Sequence, residues 1–565
     1  MHDQLQEYRL PLGGEARLVA ALGQVGWRLA AEAPRAARVR LLDSFDWGAY
    51  LAGAVIEERE QGNERWLSWH DLRGVEPPLA QPIAQPPGFP RDLPPGPLKE
   101  RVLAAVGVRR LLVAVELEVE SRTIRLLDDE EKTRARLVIE TYRPAGGCGA
   151  GSRPEPDQGS SQGPAQGRGE GQETAGLACL FLEPLKGYQA DAREVAAWLS
   201  DDLALAPAAR PLWLDVLGFG PRPAGGYSSK LSYRLDPKQR ADSAARQILL
   251  GLLDTIEVNI EGARANVDSE FLHDLRVATR RTRAALTQIP GVLPPQVEAD
   301  FKARFAWLQQ VTGPVRDLDV YLLDFDIYQA SLPAAMGPDL EPLRAYILAH
   351  YGEEQGRLSE ALGSASMTEL VRDWRQVLEA PTPAESAPAN AARPIKGLAD
   401  ERLWRLVRRV RREGQAITRT SAPEELHELR KSCKKLRYLM EFFQSLYPDA
   451  AIASAIRLLK TLLDNLGSFQ DLAVQAHHLR EMAVRMHAQG GADTQTLLAI
   501  GALVADLLRR REAARSAFSA TFAGFVADDG KALFRELFHG GAPTGLSAAL
   551  PTEPQVSPGA LVDLD

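Results

Sequence analysis

The chain has 565 residues, 67 Lys and Arg against 75 Asp and Glu, and a formal net charge of −8, with a pI near 5.8. That balance excludes indiscriminate nucleic-acid binding driven by the field of the whole protein. The length implies two or more domains with ample core, and no apolar run approaches the ~20 residues a membrane helix needs.

The amino-terminal third reads as mixed strand and helix. Residues 113–120 (Val-Ala-Val-Glu-Leu-Glu-Val-Glu) alternate with period two, as a half-buried strand does. Residues 134–140 read as a second strand, paired with the first through the Leu-Asp-Asp-Glu-Glu turn at 127–131. Residues 143–175 are rich in Gly, Pro, Ser and Gln and predict a flexible insertion. Structure is expected to resume with a strand at Leu177-Ala-Cys-Leu-Phe-Leu and a helix from Ala190 to Leu205. A linker follows at 216–239; its Gly218-Phe-Gly220 lacks the following helix that a nucleotide loop needs. The domain boundaries read from these shifts are 1–215, 240–540 and a Pro/Gly-rich tail at 541–565. Cys148, Cys179 and Cys433 stand far apart without metal or redox spacing. Together with the lack of a signal-like N-terminus, they make a reducing cytoplasm the expected location.

The helical part contains an internal duplication. His273-Asp-Leu-Arg276-Val-Ala-Thr-Arg280-Arg281-Thr-Arg283 returns 154 positions later as His427-Glu-Leu-Arg430-Lys431-Ser-Cys-Lys434-Lys435-Leu-Arg437. Leu308, Gly313, Asp317, Leu318 and Val320 keep the same offset to Leu462, Gly467, Asp471, Leu472 and Val474, a gap-free frame of 48 residues. On a helix at ~100° per residue, His273, Arg276, Arg280 and Arg283 fall within an arc of roughly 80°. Leu272, Leu275, Thr282 and Leu286 lie opposite, and Leu426, Leu429, Leu436 and Met440 do the same in the second copy. Like charges at i,i+4 repel, and Asp274 and Glu428 are the only acids inside either motif. A polyanion is the partner such a stripe calls for. Each histidine sits on the basic stripe without a second metal ligand at suitable spacing, so it suits a phosphate oxygen better than a metal. Gly313–Asp317 and Gly467–Asp471 each read as a turn followed by an acid in the first turn of a new helix; alternatively the two aspartates orient basic side chains in a cavity. Arg402, Arg405, Arg408, Arg409, Arg411 and Arg412 crowd the helix that opens the second half, spread around its circumference, and are left out of the site.

The paired His-x-x-Arg motifs closely resemble the CHAD family (conserved histidine α-helical domain) over about residues 240–540. The resemblance implies two pseudo-symmetric four-helix bundles enclosing a basic channel that binds inorganic polyphosphate. Site residues carried over are His273, Arg276, Arg280, Arg281, Arg283, His427, Arg430, Lys431, Lys434, Lys435 and Arg437. Since Val277 aligns with Lys431, the second copy is expected to be the more cationic wall. The protein is then expected on cytoplasmic polyphosphate granules. The lack of a long apolar run excludes a membrane partner. Single-stranded nucleic acid is the weaker alternative, because only Tyr438 lies near the motifs to stack a base.

More weakly, residues 1–215 resemble the CYTH family of adenylate cyclases and triphosphatases, which implies an antiparallel β-tunnel in an α+β domain. Leu5-Gln-Glu7-Tyr-Arg9 keeps one acid and one base of that family's Glu-x-Glu-x-Lys strand, and Leu42-Asp43-Ser44-Phe45-Asp46 resembles its strand-ending Asp-Thr motif. Glu57-Glu58-Arg59 loses one of a pair of arginines, and Glu116-Leu-Glu118 is acidic where a triphosphate site is cationic. Leu182–Tyr188 resembles the segment that closes such domains. The domain therefore reads as degenerate. No catalytic residue, metal ligand or cofactor is expected, with Mg or Mn needed only if the protein is instead a metal-dependent triphosphatase.

Overall fold

The computed structural model describes residues 6–25, 27–145, 176–380 and 388–539. Nearly all of the insertion expected at 143–175, the tail at 541–565, Cys148 and Leu5 lie outside the described residues. The chain divides into two units, Met1–Ser228 and Ser229–Asp565.

The first unit is built on an antiparallel sheet. Its strands are β1 (Gln6–Leu10), β2 (Arg28–Ala31), β3 (Arg35–Asp43), β4 (Ala54–Gln61), β5 (Glu64–Asp71), β6 (Leu79–Pro82), β7 (Leu112–Leu127), β8 (Thr133–Pro144) and β9 (Leu177–Pro184). The order is β1-β9-β8-β7-β3-β4-β5-β6, with β2 also on β7, so among the described residues β1 and β6 end the path. Helices α1 (Glu15–Gln24), α2 (Gly48–Leu51), α3 (Pro97–Val106), α4 (Gln189–Asp201) and α5 (Leu212–Val216) accompany it. The alternating run at 113–120 is the first half of β7, and the expected hairpin with β8 forms. Asp128 makes its turn by accepting the backbone N–H groups of Glu130 (2.9 Å) and Lys132 (2.8 Å). The strand at 177–182 and the helix after 190 are present as β9 and α4. Where β3 ends, buried Asp43 accepts from the backbone N–H of Ser44 (2.7 Å), Ala49 (2.9 Å) and Tyr50 (2.9 Å). This carboxylate organises the turn into α2.

The second unit is all-helical: α6 (Ala241–Arg264), α7 (Ser269–Gln288), α8 (Pro295–Val311), α9 (Gly313–Leu323), α10 (Phe325–Ser331), α11 (Glu341–Leu362), α12 (Ala365–Glu379), α13 (Ile395–Ala416), α14 (Pro423–Phe443), α15 (Asp449–Ala488), α16 (Thr494–Val526) and α17 (Asp528–His539). The duplication extends beyond the motif. Starts of α6 and α13, of α7 and α14, and of α8 and α15 are each 154 residues apart. In each half the motif helix packs on the helix before it and the one after it. The apolar stripes are buried as expected, Leu272, Leu275, Thr282 and Leu286 in α7 and Leu426, Leu429, Leu436 and Met440 in α14. Thr279 and Thr282 satisfy their hydroxyls on the carbonyls of Leu275 (2.8 Å) and Ala278 (3.0 Å), so burial leaves no orphan donor there. A close approach sets the crossing of α6 and α7: a Cβ on Gly262 would lie 2.1 Å from the Phe271 ring. One core joins the halves, with Tyr321, Phe325 and Leu343 packed in the same cluster as Leu479, Ile500 and Leu503.

The second copy corrects one expectation. Gly467 does not start a helix; it lies inside the 40-residue α15, whereas Gly313 opens α9 after a break. Pro314 lacks an N–H and breaks the ladder, and its counterpart Ser468 does not. Asp317 accordingly sits beyond the first turn of α9.

Replacing Asp43 with Ala strips three backbone donors of their acceptor. It should cost about 1–3 kcal/mol, read from denaturant unfolding of the whole chain. Unchanged stability would refute this account of the turn.

Candidate functional site

Helices α7 and α14 pack against each other, which brings the two basic stripes together. Two openings flank this contact. A cavity of about 340 Å³ is lined by Arg276, Arg280 and Arg316 from the first half and His427, Arg430 and His478 from the second. A cleft of about 330 Å³ is lined by Arg283 and Lys302 from the first half and Lys431, Lys434 and Lys435 from the second. The expected excess of charge in the second copy therefore holds only in the cleft. In the cavity the first copy contributes more, because Arg316 aligns with uncharged Gln470.

Local structure dictates how each cation is held. The break before α9 frees backbone acceptors, and Arg276 donates to Gln309 O (3.0 Å) and Thr312 Oγ1 (2.9 Å). The unbroken α15 offers no such carbonyl, and Arg430 instead forms a fork with Asp471 (2.9 and 3.1 Å). The repeated glycines lie beside both cations, at distances where a side chain would make only ordinary contact. A Cβ on Gly313 would stand 3.7 Å from the Arg276 guanidinium, and one on Gly467 3.5 Å from that of Arg430. Asp471 thus orients a cation directly, while Asp317 acts on Arg276 through its charge.

Arg316 is a cavity residue that sequence reasoning missed. It is 5 % exposed, and its guanidinium lies 2.8 Å from His273 Nδ1. An arginine can only donate, so His273 accepts there and supports Arg316 rather than facing the cavity itself. The signal was available: Arg316 lies inside the duplicated frame, between Gly313 and Asp317. His478, also missed, aligns with Asp324 and gave no repeat signal. Two motif arginines do not reach either opening. Glu441 of α14 binds Arg281 (2.9 Å) and Arg437 (2.8 Å) together, tying α7 to α14. Glu441, one turn past the second motif, and Asp471 of α15 thus supply carboxylates that the motifs lack.

What remains uncompensated is concentrated in the cavity. Arg280 makes no hydrogen bond or ion pair among the described residues, and its Nε is buried. Arg276 Nε and His427 Nδ1 are likewise buried without an acceptor or donor. Burial, with Arg280 and Arg316 close by, pushes Arg276 down to about 10; it stays charged at neutral pH. Arranged in this way, the cavity can bind an anion by charge-assisted hydrogen bonds at little cost of reorganisation.

The first unit treats its cations differently. Arg9 binds Glu7 and Asp215 (2.8 Å), and Arg40 binds Glu116 (2.9 Å). Arg59 binds Glu57 and Glu140, both at 2.8 Å. Burial opposes ionisation of Glu57, but the His70 hydrogen bond and the Arg59 charge hold it at about 2. Among the described residues no group of three or more His, Cys, Asp or Glu is placed to hold a metal ion. Cys179 and Cys433 are buried free thiols. Among the described residues no helix is long and apolar enough to cross a membrane.

Residues 247–480, from α6 into α15 and including both motifs, match the model of the CHAD domain family. The chain carries a CHAD domain, preceded by an antiparallel β domain. Solved structures that it resembles include the crystal structure of the CHAD domain from the plant Ricinus communis, 23 % identical, covering 53 % of this chain and 95 % of that one with a TM-score of 0.43. PptA from Streptomyces chartreusis is 16 % identical, covering 50 % of this chain and 99 % of that one, with a TM-score of 0.39. No curated protein matches the sequence.

Two outcomes are expected. Glu441→Ala leaves two largely buried guanidiniums without their shared carboxylate and should cost about 3–5 kcal/mol in chemical unfolding; a loss below 1 kcal/mol, roughly that of a surface pair, would deny the tie. Asp319, buried in α9, is raised from 3.8 to about 7 because burial outweighs the nearby Arg316. A raised folded-state value means stability present in acid and lost as pH rises through about 7. Asp319→Asn should therefore flatten the fall in melting temperature between about pH 4 and 7, and an equally steep fall in the variant would exclude Asp319 as its source.

Proposed function

We propose that this protein binds inorganic polyphosphate. The observation that carries the reading is Arg280, which lines a cavity beside Arg276, Arg316, His427 and Arg430 with no acceptor of its own among the described residues. Successive phosphates of the polymer accept from the guanidiniums in the cavity and from Arg283, Lys431, Lys434 and Lys435 in the cleft. A polymer without bases suits walls of cations: Tyr321 is buried in the cavity lining, and Tyr438 is the single aromatic in the cleft lining. His273, Arg281 and Arg437 act as supports, holding Arg316 or the α7–α14 contact. The protein then resides in the cytoplasm on polyphosphate granules. Metal-dependent triphosphatase activity is not favoured, because the candidate cations Arg9, Arg40 and Arg59 are each neutralised by the domain's own carboxylates.

Titration of the full chain with long-chain polyphosphate tests this. Binding should need no divalent metal and weaken steeply with salt, as phosphate contacts do. Arg280→Glu with Lys434→Glu should weaken the tightest binding by at least ~100-fold with helicity unchanged. Undiminished binding in that variant would overturn the site. Tripolyphosphate with Mg or Mn should release no phosphate; turnover abolished by Glu7→Gln would overturn the binding-only reading.

A further inference from the structure

A large opening in the second unit lies away from the motif helices. A groove of about 1150 Å³ runs between α13 and α17, lined by seven Lys and Arg against Asp400 and Glu401. Some of this charge is answered locally: Arg405 pairs with Glu401 (2.6 Å) and Arg409 with Glu413 (2.6 Å). Arg408, Arg411, Arg412, Lys531 and Arg535 have no ion pair among the described residues.

The duplication provides an internal control. Helix α13 repeats α6 at the 154-residue offset, and α12 packs on α6 as α17 packs on α13. Asp254 and Glu257 of α6 stand where Arg408 and Arg411 stand in α13. In the first half Arg375 of α12 closes that face on both acids, reaching Asp254 at 2.6 Å. In the second half the α13 charges are reversed, and α17 brings Lys531 and Arg535 of the same sign. The fold evidently does not need cations at these positions, since its first copy is built with the opposite charge. Like charges on both walls oppose the packing of α17 on α13, so a bound anion would offset a cost that the bare protein carries.

We propose that the α13–α17 groove is a second anion site, taking a phosphate oligoanion. Arg408, Arg411 and Arg412 of α13 present forked donors that match phosphate oxygens. A nucleic acid would want a free aromatic platform, but Trp404 and His539 are stacked on each other at 4.9 Å and 4°. An acidic peptide would want an apolar anchor, and Phe538 is buried, 3 % exposed. The site is separate from the cavity and stands whether or not the cavity reading does.

Inorganic tripolyphosphate, titrated calorimetrically into the full chain, separates the two. Wild type should show two sites. Arg408→Glu with Arg412→Glu, both exposed, should lose one site or weaken it at least ~10-fold, leaving the other within about twofold. Arg280→Glu with Lys434→Glu should give the complementary loss, and Trp404→Leu should leave both sites intact. A titration unchanged by the Arg408/Arg412 pair overturns the groove site, whereas one unchanged by the Arg280/Lys434 pair overturns only the cavity. Tighter binding of an oligothymidylate than of tripolyphosphate, lost in Trp404→Leu, would overturn the ligand class.

Discussion

Two helices that each carry a column of cations pack against each other in this protein, and everything distinctive about the second unit answers that electrostatic constraint. Repulsion between like charges at close range grows as water is excluded. The fold meets part of it with carboxylates from elsewhere in the chain. Glu441 takes Arg281 and Arg437 together, and Asp471 takes Arg430 in a fork. Arg276 is met by a carbonyl and a hydroxyl freed where α8 and α9 part. Arg316 has Glu270 at 3.8 Å and His273 at 2.8 Å, and the remainder is left around one cavity, at Arg280 and His427.

Duplication followed by divergence produced unequal halves with equal frames. Helix starts kept their offset, because packing depends on where the apolar stripe lies. The charges between those stripes were free to change. One proline decides whether the third helix breaks, and the break in turn decides which partner the first arginine of the motif finds. On the outer face the same freedom reversed the sign at Asp254 and Glu257 against Arg408 and Arg411, with no change of helix.

The β domain shows the opposite solution to buried cations. Arg9 lies against Glu7 of its own strand and Asp215 of α5, Arg40 against Glu116 of adjacent β7, and Arg59 against Glu57 of its own strand and Glu140 of β8, so their charge is spent within the domain. Asp43, which ends a strand in a motif suggestive of chemistry, is engaged by three backbone N–H groups at a turn. Its role there is structural.

Local and periodic features were legible in the sequence: the β7–β8 hairpin, the strand at 177, the buried leucine stripes and the repeat itself. Each depends on side-chain alternation or helical spacing along a continuous segment, which the order of residues states directly. Most of the cavity could also be read, since Arg276, Arg280, His427 and Arg430 lie on the repeated stripes. Partner choice could not. That Glu441, besides Arg437 one turn away, also takes Arg281 of α7, that His273 supports Arg316, and that His478 joins the cavity all depend on contacts between helices distant in sequence. Even the pair of Gly-to-Asp segments, alike on paper, became a helix break in one copy and a helix interior in the other. Sequence determined where the positive charge is carried; tertiary structure decided which of it is neutralised, because a carboxylate screens a cation by distance in space and not by position along the chain.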